Sequence, residues 1–206
     1  MAERKHGTTT PETESTVAGA DWSGQAISRQ NHTRVLFADM DMTETRNSGA
    51  VFTECWFRRA RFNVSVHDSA AFVNCTFTAC KFYDTTFTDC KFIGSTFDGC
   101  TFEIMKVVGG NWSFVGLPEA DLRTASFRNT RLREADLTGA RCQGASLRDV
   151  DLSGALLNGV DFSRCDLRGS DLSAIEPAKV ELKGAIITID QTLVIAEALG
   201  YDVRLD

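Results

Sequence analysis

The stretch VFTECWFRRARFNVSVHDSAAFVNCTFTACKFYDTTFTDCKFIGSTFDGCTF, Val51 to Phe102, decides the fold. Phenylalanine stands at Phe52, Phe57, Phe62, Phe72, Phe77, Phe82, Phe87, Phe92, Phe97 and Phe102, one every five residues, and His67 occupies the single step that lacks it. Two residues before these centres lie small side chains: Cys55, Ala60, Ala70, Cys75, Cys80, Thr85, Cys90, Ser95 and Cys100. The residues between are mostly polar. A helix repeats every ~3.6 residues and a strand every second one, so neither puts a large apolar group on one side at every fifth step. A chain that turns a corner every five residues does.

The phase extends outward in both directions. It runs back through Met42, Phe37 and Ile27 to Trp22, and forward through Val107, Trp112, Leu117 and the leucine series to Ile187. Of these 34 centres only His32, Asn47, His67 and Pro177 are not apolar, and 13 of the 14 phenylalanines keep one phase. A fixed internal period is read before any local propensity, because it dictates the whole architecture. Around Met105–Trp112 the centres change from mostly Phe to mostly Leu without losing phase.

The chain has 206 residues, 43% of them hydrophobic and 24% charged, proportions that support a packed core. Residues 1–17 are polar and threonine-rich without apolar spacing, and are expected to form a disordered tail. That tail lacks the apolar centre of a signal peptide, and no apolar run is long enough to span a bilayer. The expected setting is the cytoplasm. Six of the seven cysteines occupy the small step and Cys142 a central one. Cysteine there acts as a small hydrophobe, so thiols are expected rather than disulfides or a metal site.

The triplets Ala20-Asp21-Trp22, Ala120-Asp121-Leu122, Ala135-Asp136-Leu137, Val150-Asp151-Leu152, Val160-Asp161-Phe162 and Ser170-Asp171-Leu172 resemble the pentapeptide repeat family. The resemblance covers residues 20–187. It implies an all-β fold, a right-handed quadrilateral β-helix in which four pentapeptides make one square coil. Residues 20 apart then stack at about 4.8 Å, which builds the ladders Phe52–Phe72–Phe92 and Phe62–Phe82–Phe102 in the core. Asn47 and His67 also stack, and are expected at a bulged turn, hydrogen-bonded or turned outward. The coil domain is expected over 18–187.

Asp190 is expected to cap a short helix, Gln191 to Leu199, with Gly200 as its stop. Leu193, Ala196 and Leu199 share one side of it, and Tyr201, Val203 and Leu205 alternate like a short strand. This ending, 188–206, resembles that of the Qnr and MfpA group, in which it caps the last coil and makes a two-fold dimer. The lack of phase-breaking loops is closer to MfpA. The resemblance implies Leu193, Ala196, Leu199, Tyr201 and Val203 at a homodimer interface.

No catalytic constellation emerges. His6, His32 and His67 have no nucleophile at a recognisable spacing, and neither a phosphate-cradling loop nor a nucleophile elbow is present. A binding protein without a cofactor is expected. The Qnr and MfpA resemblance implies DNA gyrase, and topoisomerase IV beside it, as partner, and protection of the enzyme from quinolones or natural poisons by a rod that mimics DNA. Net charge is −6, which opposes direct nucleic-acid binding. Asp161, Asp166, Asp171, Glu176 and Glu181 are the expected partner-facing acids. Arg123, Arg128, Arg131, Arg133, Arg141 and Arg148 run against a uniform mimic and are expected to pair with local acids. The other reading is a scaffold for a different protein partner.

Overall fold

The computed structural model describes residues 10–204 and is a right-handed quadrilateral β-helix closed by one helix. Every strand pair is parallel and joins residues 20 apart, for example Phe57↔Phe77 and Phe87↔Val107. The first face stacks Ser15–Ala18, Val35–Ala38, Trp56–Arg58, Thr76–Thr78 and Thr96–Asp98. The third face stacks seven strands from Ala26–Ser28 to Ser146–Arg148, and the fourth begins with Asn31–Thr33, Val51–Thr53 and Ala71–Val73. The second face is held by single bridges such as Asp41↔Arg61 and Arg61↔Lys81.

The corner that the sequence demanded has one backbone cause. Among the described residues all 19 non-glycine residues with positive φ, from Arg29 to Arg164, lie two residues after a centre. A left-handed residue at that step reverses the strand direction sufficiently to start the next face. Glycine and Asn adopt it at little cost, but Val64 (φ 59°) and Ile104 (φ 56°) are β-branched and strained there.

Inside, the aromatic ladders form as read from the sequence. Phe52 stacks on Phe72 at 4.9 Å with 5° between planes, Phe72 on Phe92 at 4.6 Å, and Phe62 on Phe82 at 4.9 Å. These separations equal the rung spacing, so ring stacking and backbone pairing are satisfied by one geometry. The small step does more than save space. Cys75, Cys80 and Cys90 point their thiols at the carbonyls of Phe52, Phe57 and His67 at 3.4 Å, and Thr85 and Ser95 donate to Phe62 and Phe72 in the same way. All seven cysteines are free thiols.

Two expectations are corrected here. The strand Ser15–Ala18 pairs with Val35–Ala38, so the solenoid begins inside the stretch assigned to the tail; Val17 takes the central step. Residues 1–9 lie outside the described residues. Asn47 and His67 sit on regular strands, both buried, with no bulge and no outward turn. The inward polar pair is tolerated because its hydrogen bonds are complete. Pro177 does mark an irregular corner: Gly159 donates to Lys179, one residue beyond the usual register. The phase resumes at Glu181, which pairs with Asp161.

A second irregularity follows Trp112. Its indole is fully buried, 4.0 Å from the Phe92 ring and 6.1 Å from Phe97, nearly parallel to the latter. A Cβ on Gly110 would lie 2.1 Å from the Cys90 carbonyl oxygen, so only glycine allows the backbone this close beside the Trp. The next coil still pairs over Phe97, whose N–H donates to the Gly116 carbonyl at 2.9 Å. Beyond it the coils separate at the corner of the first and second faces, and a groove of about 1740 Å³ opens there.

Candidate partner-binding surfaces

The C-terminal helix, Ile189–Ala198, is set by a capping box. Thr188 accepts from the Gln191 N–H, and the Gln191 side chain accepts from the Thr188 N–H at 2.7 Å. The cap is therefore Thr188, not Asp190, and the helix starts two residues earlier than expected and ends one earlier, at Ala198. The signal was present as Thr188-Ile189-Asp190-Gln191, the S/T-x-x-E/Q pattern. Gly200 ends the helix with φ 87°, donating to Glu197, while Tyr201 donates to Ala196, the paired bonds of a Schellman ending.

Gln191 also joins the helix to the rod. Its amide nitrogen donates to the carbonyls of Leu167 (2.8 Å) and Ser170 (2.7 Å). These belong to the last coil, whose outward edge would otherwise offer unpaired backbone groups. Val194 and Ile195 pack against the core from the same side of the helix.

The other side is left open. Leu193, Leu199, Tyr201 and Val203 are exposed, Ile189 almost fully, and Ala196 is half-buried. Of the expected interface residues, Leu193, Leu199, Tyr201 and Val203 thus face solvent. Tyr201 and Val203 do not form a strand, and Leu205 lies outside the described residues.

The five expected partner-facing acids do not form one patch. Asp166, Asp171 and Glu176 lie on three successive faces, and Asp161 and Glu181 stack on the remaining one, so together they ring the last coils. Several are occupied by the fold itself. Asp161 accepts from the Ser163 N–H and from Gln143, and Asp166 from Arg168, with Arg148 at 3.9 Å. The hydrogen bond from Arg168 holds the Asp166 carboxyl below its usual range, and that from Ser163 does the same for Asp161. Asp171 and Glu181 accept from the N–H two residues on. An acid before a centre thus satisfies the turn that follows it.

The arginines also separate. Arg123 and Arg141 both bind Asp121, at 2.7 and 2.9 Å, on the second face, whereas Arg148 belongs to the third and Arg133 to the fourth. Among the described residues no cluster of His, Cys, Asp and Glu could hold a metal ion, and no helix is long and apolar enough to cross a membrane.

Comparison with known proteins decides the family. The family model "Pentapeptide repeat region" matches residues 70–156, and "Pentapeptide repeats (8 copies)" matches 145–174. The chain is a pentapeptide repeat protein. A model of the SV2A/B/C luminal domain also matches residues 22–102. No curated relative matches the chain. Among solved structures, trypsin-treated QnrB1, a plasmid-mediated fluoroquinolone resistance protein, is similar with a TM-score of 0.85 at 21% identity, covering 94% of this chain and 97% of that one. Full-length QnrB1 gives 0.73 at 20% identity, covering 92% and 99%. HetL, a pentapeptide repeat protein involved in heterocyst differentiation regulation in the cyanobacterium Nostoc, gives 0.52 at 15% identity, covering 78% and 89%. The pentapeptide repeat architecture of this chain therefore extends over nearly the whole QnrB1 rod.

Proposed function

We propose that this protein is a topoisomerase-protecting rod that binds DNA gyrase, and topoisomerase IV with it, and shields the enzyme from quinolones or natural poisons. The observation that carries this reading is the match to QnrB1 along 94% of the chain and 97% of its counterpart. A narrow shaft with net charge −6 is attracted to basic DNA-binding grooves and repelled by DNA. The protein acts where such enzymes work, in the cytoplasm. It acts by binding and not by catalysis, with no cofactor.

The active form is a two-fold dimer joined at the C-terminal caps. The open side of the cap, with Leu193, Leu199, Tyr201 and Val203, supplies a self-complementary apolar contact. The test has two parts. Purified protein added to gyrase supercoiling assays restores activity in the presence of a quinolone or inhibits it alone; gyrase that is untouched at every ratio sinks the proposal. Sedimentation of the double variant Leu199→Glu/Tyr201→Glu gives a monomer, and a dimer that persists removes the cap from the interface.

A scaffold for another partner is the second reading. HetL, tied to a developmental role, shares the fold over 78% of this chain, so the architecture alone does not select a partner.

A further inference from the structure

The groove beyond Trp112 breaks the rule that the rest of the rod obeys. One coil earlier the rungs are fully joined: Ala79 donates to Asp98, Phe82 to Thr101, Thr101 to Cys80 and Asp84 to Glu103, at 2.8–3.0 Å. One coil later they are joined again: Glu119 donates to Thr138, Leu122 to Arg141 and Arg141 to Ala120. Between these, the N–H groups of Gly99, Phe102 and Asp121 make no rung-to-rung bond among the described residues. Ile104 turns instead to the Thr124 hydroxyl at 3.0 Å, and the bridge series on the second face passes from Lys81↔Thr101 to Asp121↔Arg141 without a Thr101↔Asp121 pair. Phe97 is 6% exposed at the groove, against 0% for Phe77 one coil earlier, and Cys100 and Ala120 are half-buried.

Backbone groups inside a sheet seek partners, and an edge left open is a template for another strand. Among the described residues the groove's lining carries six carboxylates against two guanidiniums. Both guanidiniums, Arg123 and Arg141, are spent on Asp121, while Asp98, Glu103, Glu119 and Glu134 make no ion pair among the described residues. At about 1740 Å³ the space exceeds the roughly 300–1,000 Å³ of a small-molecule site and suits a length of chain.

We propose that this groove is a docking site for an extended basic segment of a partner protein. The segment lies along the open edge between residues 98–104 and 118–124 and forms main-chain hydrogen bonds with it. Its Lys or Arg side chains face Glu103 and Glu119. This is strand addition at a sheet edge with specificity supplied by charge. It holds whether or not a topoisomerase is the partner, since it rests on the wall of the rod and not on the cap.

The experiment uses the full chain and a fluorescent peptide of alternating Lys and Thr, with two controls: the same peptide with Glu for Lys, and the Lys peptide N-methylated at every second residue. Anisotropy titration gives saturable binding of the Lys peptide only. Glu103→Gln with Glu119→Gln weakens it about tenfold at unchanged melting temperature. N-methylation, which removes donors but keeps charge, abolishes it. Equal binding of the methylated peptide, or indifference to the two substitutions, overturns the proposal. Thr10 also borders the groove, so the titration is repeated on a chain lacking residues 1–9. Binding that appears only in that chain assigns the groove to the protein's own first residues and likewise overturns it.

Discussion

The amide nitrogen of Asn47 donates to Nδ1 of His67, 3.1 Å away on the next coil. Asn47 Oδ1 accepts the Ala50 N–H, which fixes the orientation of the amide. Nδ1 must therefore accept, and the ring proton resides on Nε2, from which it bonds the Ser65 hydroxyl at 2.9 Å. That hydroxyl donates in turn to the Phe62 carbonyl. The network is complete only with a neutral imidazole.

Burial lowers the His67 pKa from 6.5 to about 3. The sign follows from linkage: the unfolded chain takes up a proton near pH 6.5 and the folded one only near 3. Stability is full above pH 6.5 and falls as pH drops through that window, by about 1.4 kcal/mol per pH unit. Denaturant melts at pH 7 and pH 4.5 measure the loss. The double variant Asn47→Leu/His67→Phe, which continues the Phe87 ladder, flattens the profile in that interval. An unchanged slope assigns the acid sensitivity to other groups.

Gln191 holds the cap through two buried carbonyls and the capping box together. Gln191→Ala removes both carbonyl bonds and the side-chain half of the capping box, and the change costs about 2 kcal/mol. It also uncovers the terminal rung. Thermal melting reads the first effect, and light scattering reads the second as concentration-dependent association. The conservative Gln191→Glu does not rescue, because a carboxylate cannot donate to Leu167 and Ser170.

Val64 occupies a left-handed corner and is 44% exposed. Asn74 and Asn129 fill the same step elsewhere with φ 52° and 53°. Val64→Asn relieves the β-branched strain and adds about 1 kcal/mol, read as a rise of roughly 2–4 °C in melting temperature. Val64→Leu, still unable to relax there, gives a smaller gain.

The fold was legible because one side-chain class recurs at one period. The ladders from Phe52 to Phe102 and the free thiols follow from it directly. What the sequence hid was backbone geometry. Nothing in Val64 or Ile104 announces a left-handed corner, since those residue types avoid it. The first strand was missed because Val17 is a lone apolar centre in a polar run, and tertiary pairing with Val35–Ala38 outweighs composition there. The groove was invisible for a different reason. Met105–Trp112 keeps phase perfectly, and the lost rung bonds of Gly99, Phe102 and Asp121 leave no mark on the residue pattern. The acids ring the last coils because a period of 20 sends neighbouring repeats to different faces.

The thiols offer a last prediction, one that reports on the groove as well as the core. Burial pushes Cys90 and Cys165 up to about 12 and raises Cys75, Cys100 and Cys142 well above the ordinary thiol value. Only the thiolate reacts, so at pH 8 a group near 12 is ionised in about one molecule in 10⁴. Maleimide labelling of the native protein is therefore slow and follows unfolding of the surrounding coils. Cys100 is half-buried at the edge of the groove, where the rungs are unpaired, while Cys80 directly beneath it is fully buried. Among the five thiols that burial raises, mass spectrometry of a partial labelling reaction finds Cys100, the one that is not fully buried, modified first. Trp112→Leu, which removes the indole lying parallel to the Phe97 ring, slows its labelling toward the rate of Cys80. Equal rates at Cys80 and Cys100 in the wild-type chain rule out an opening between these coils.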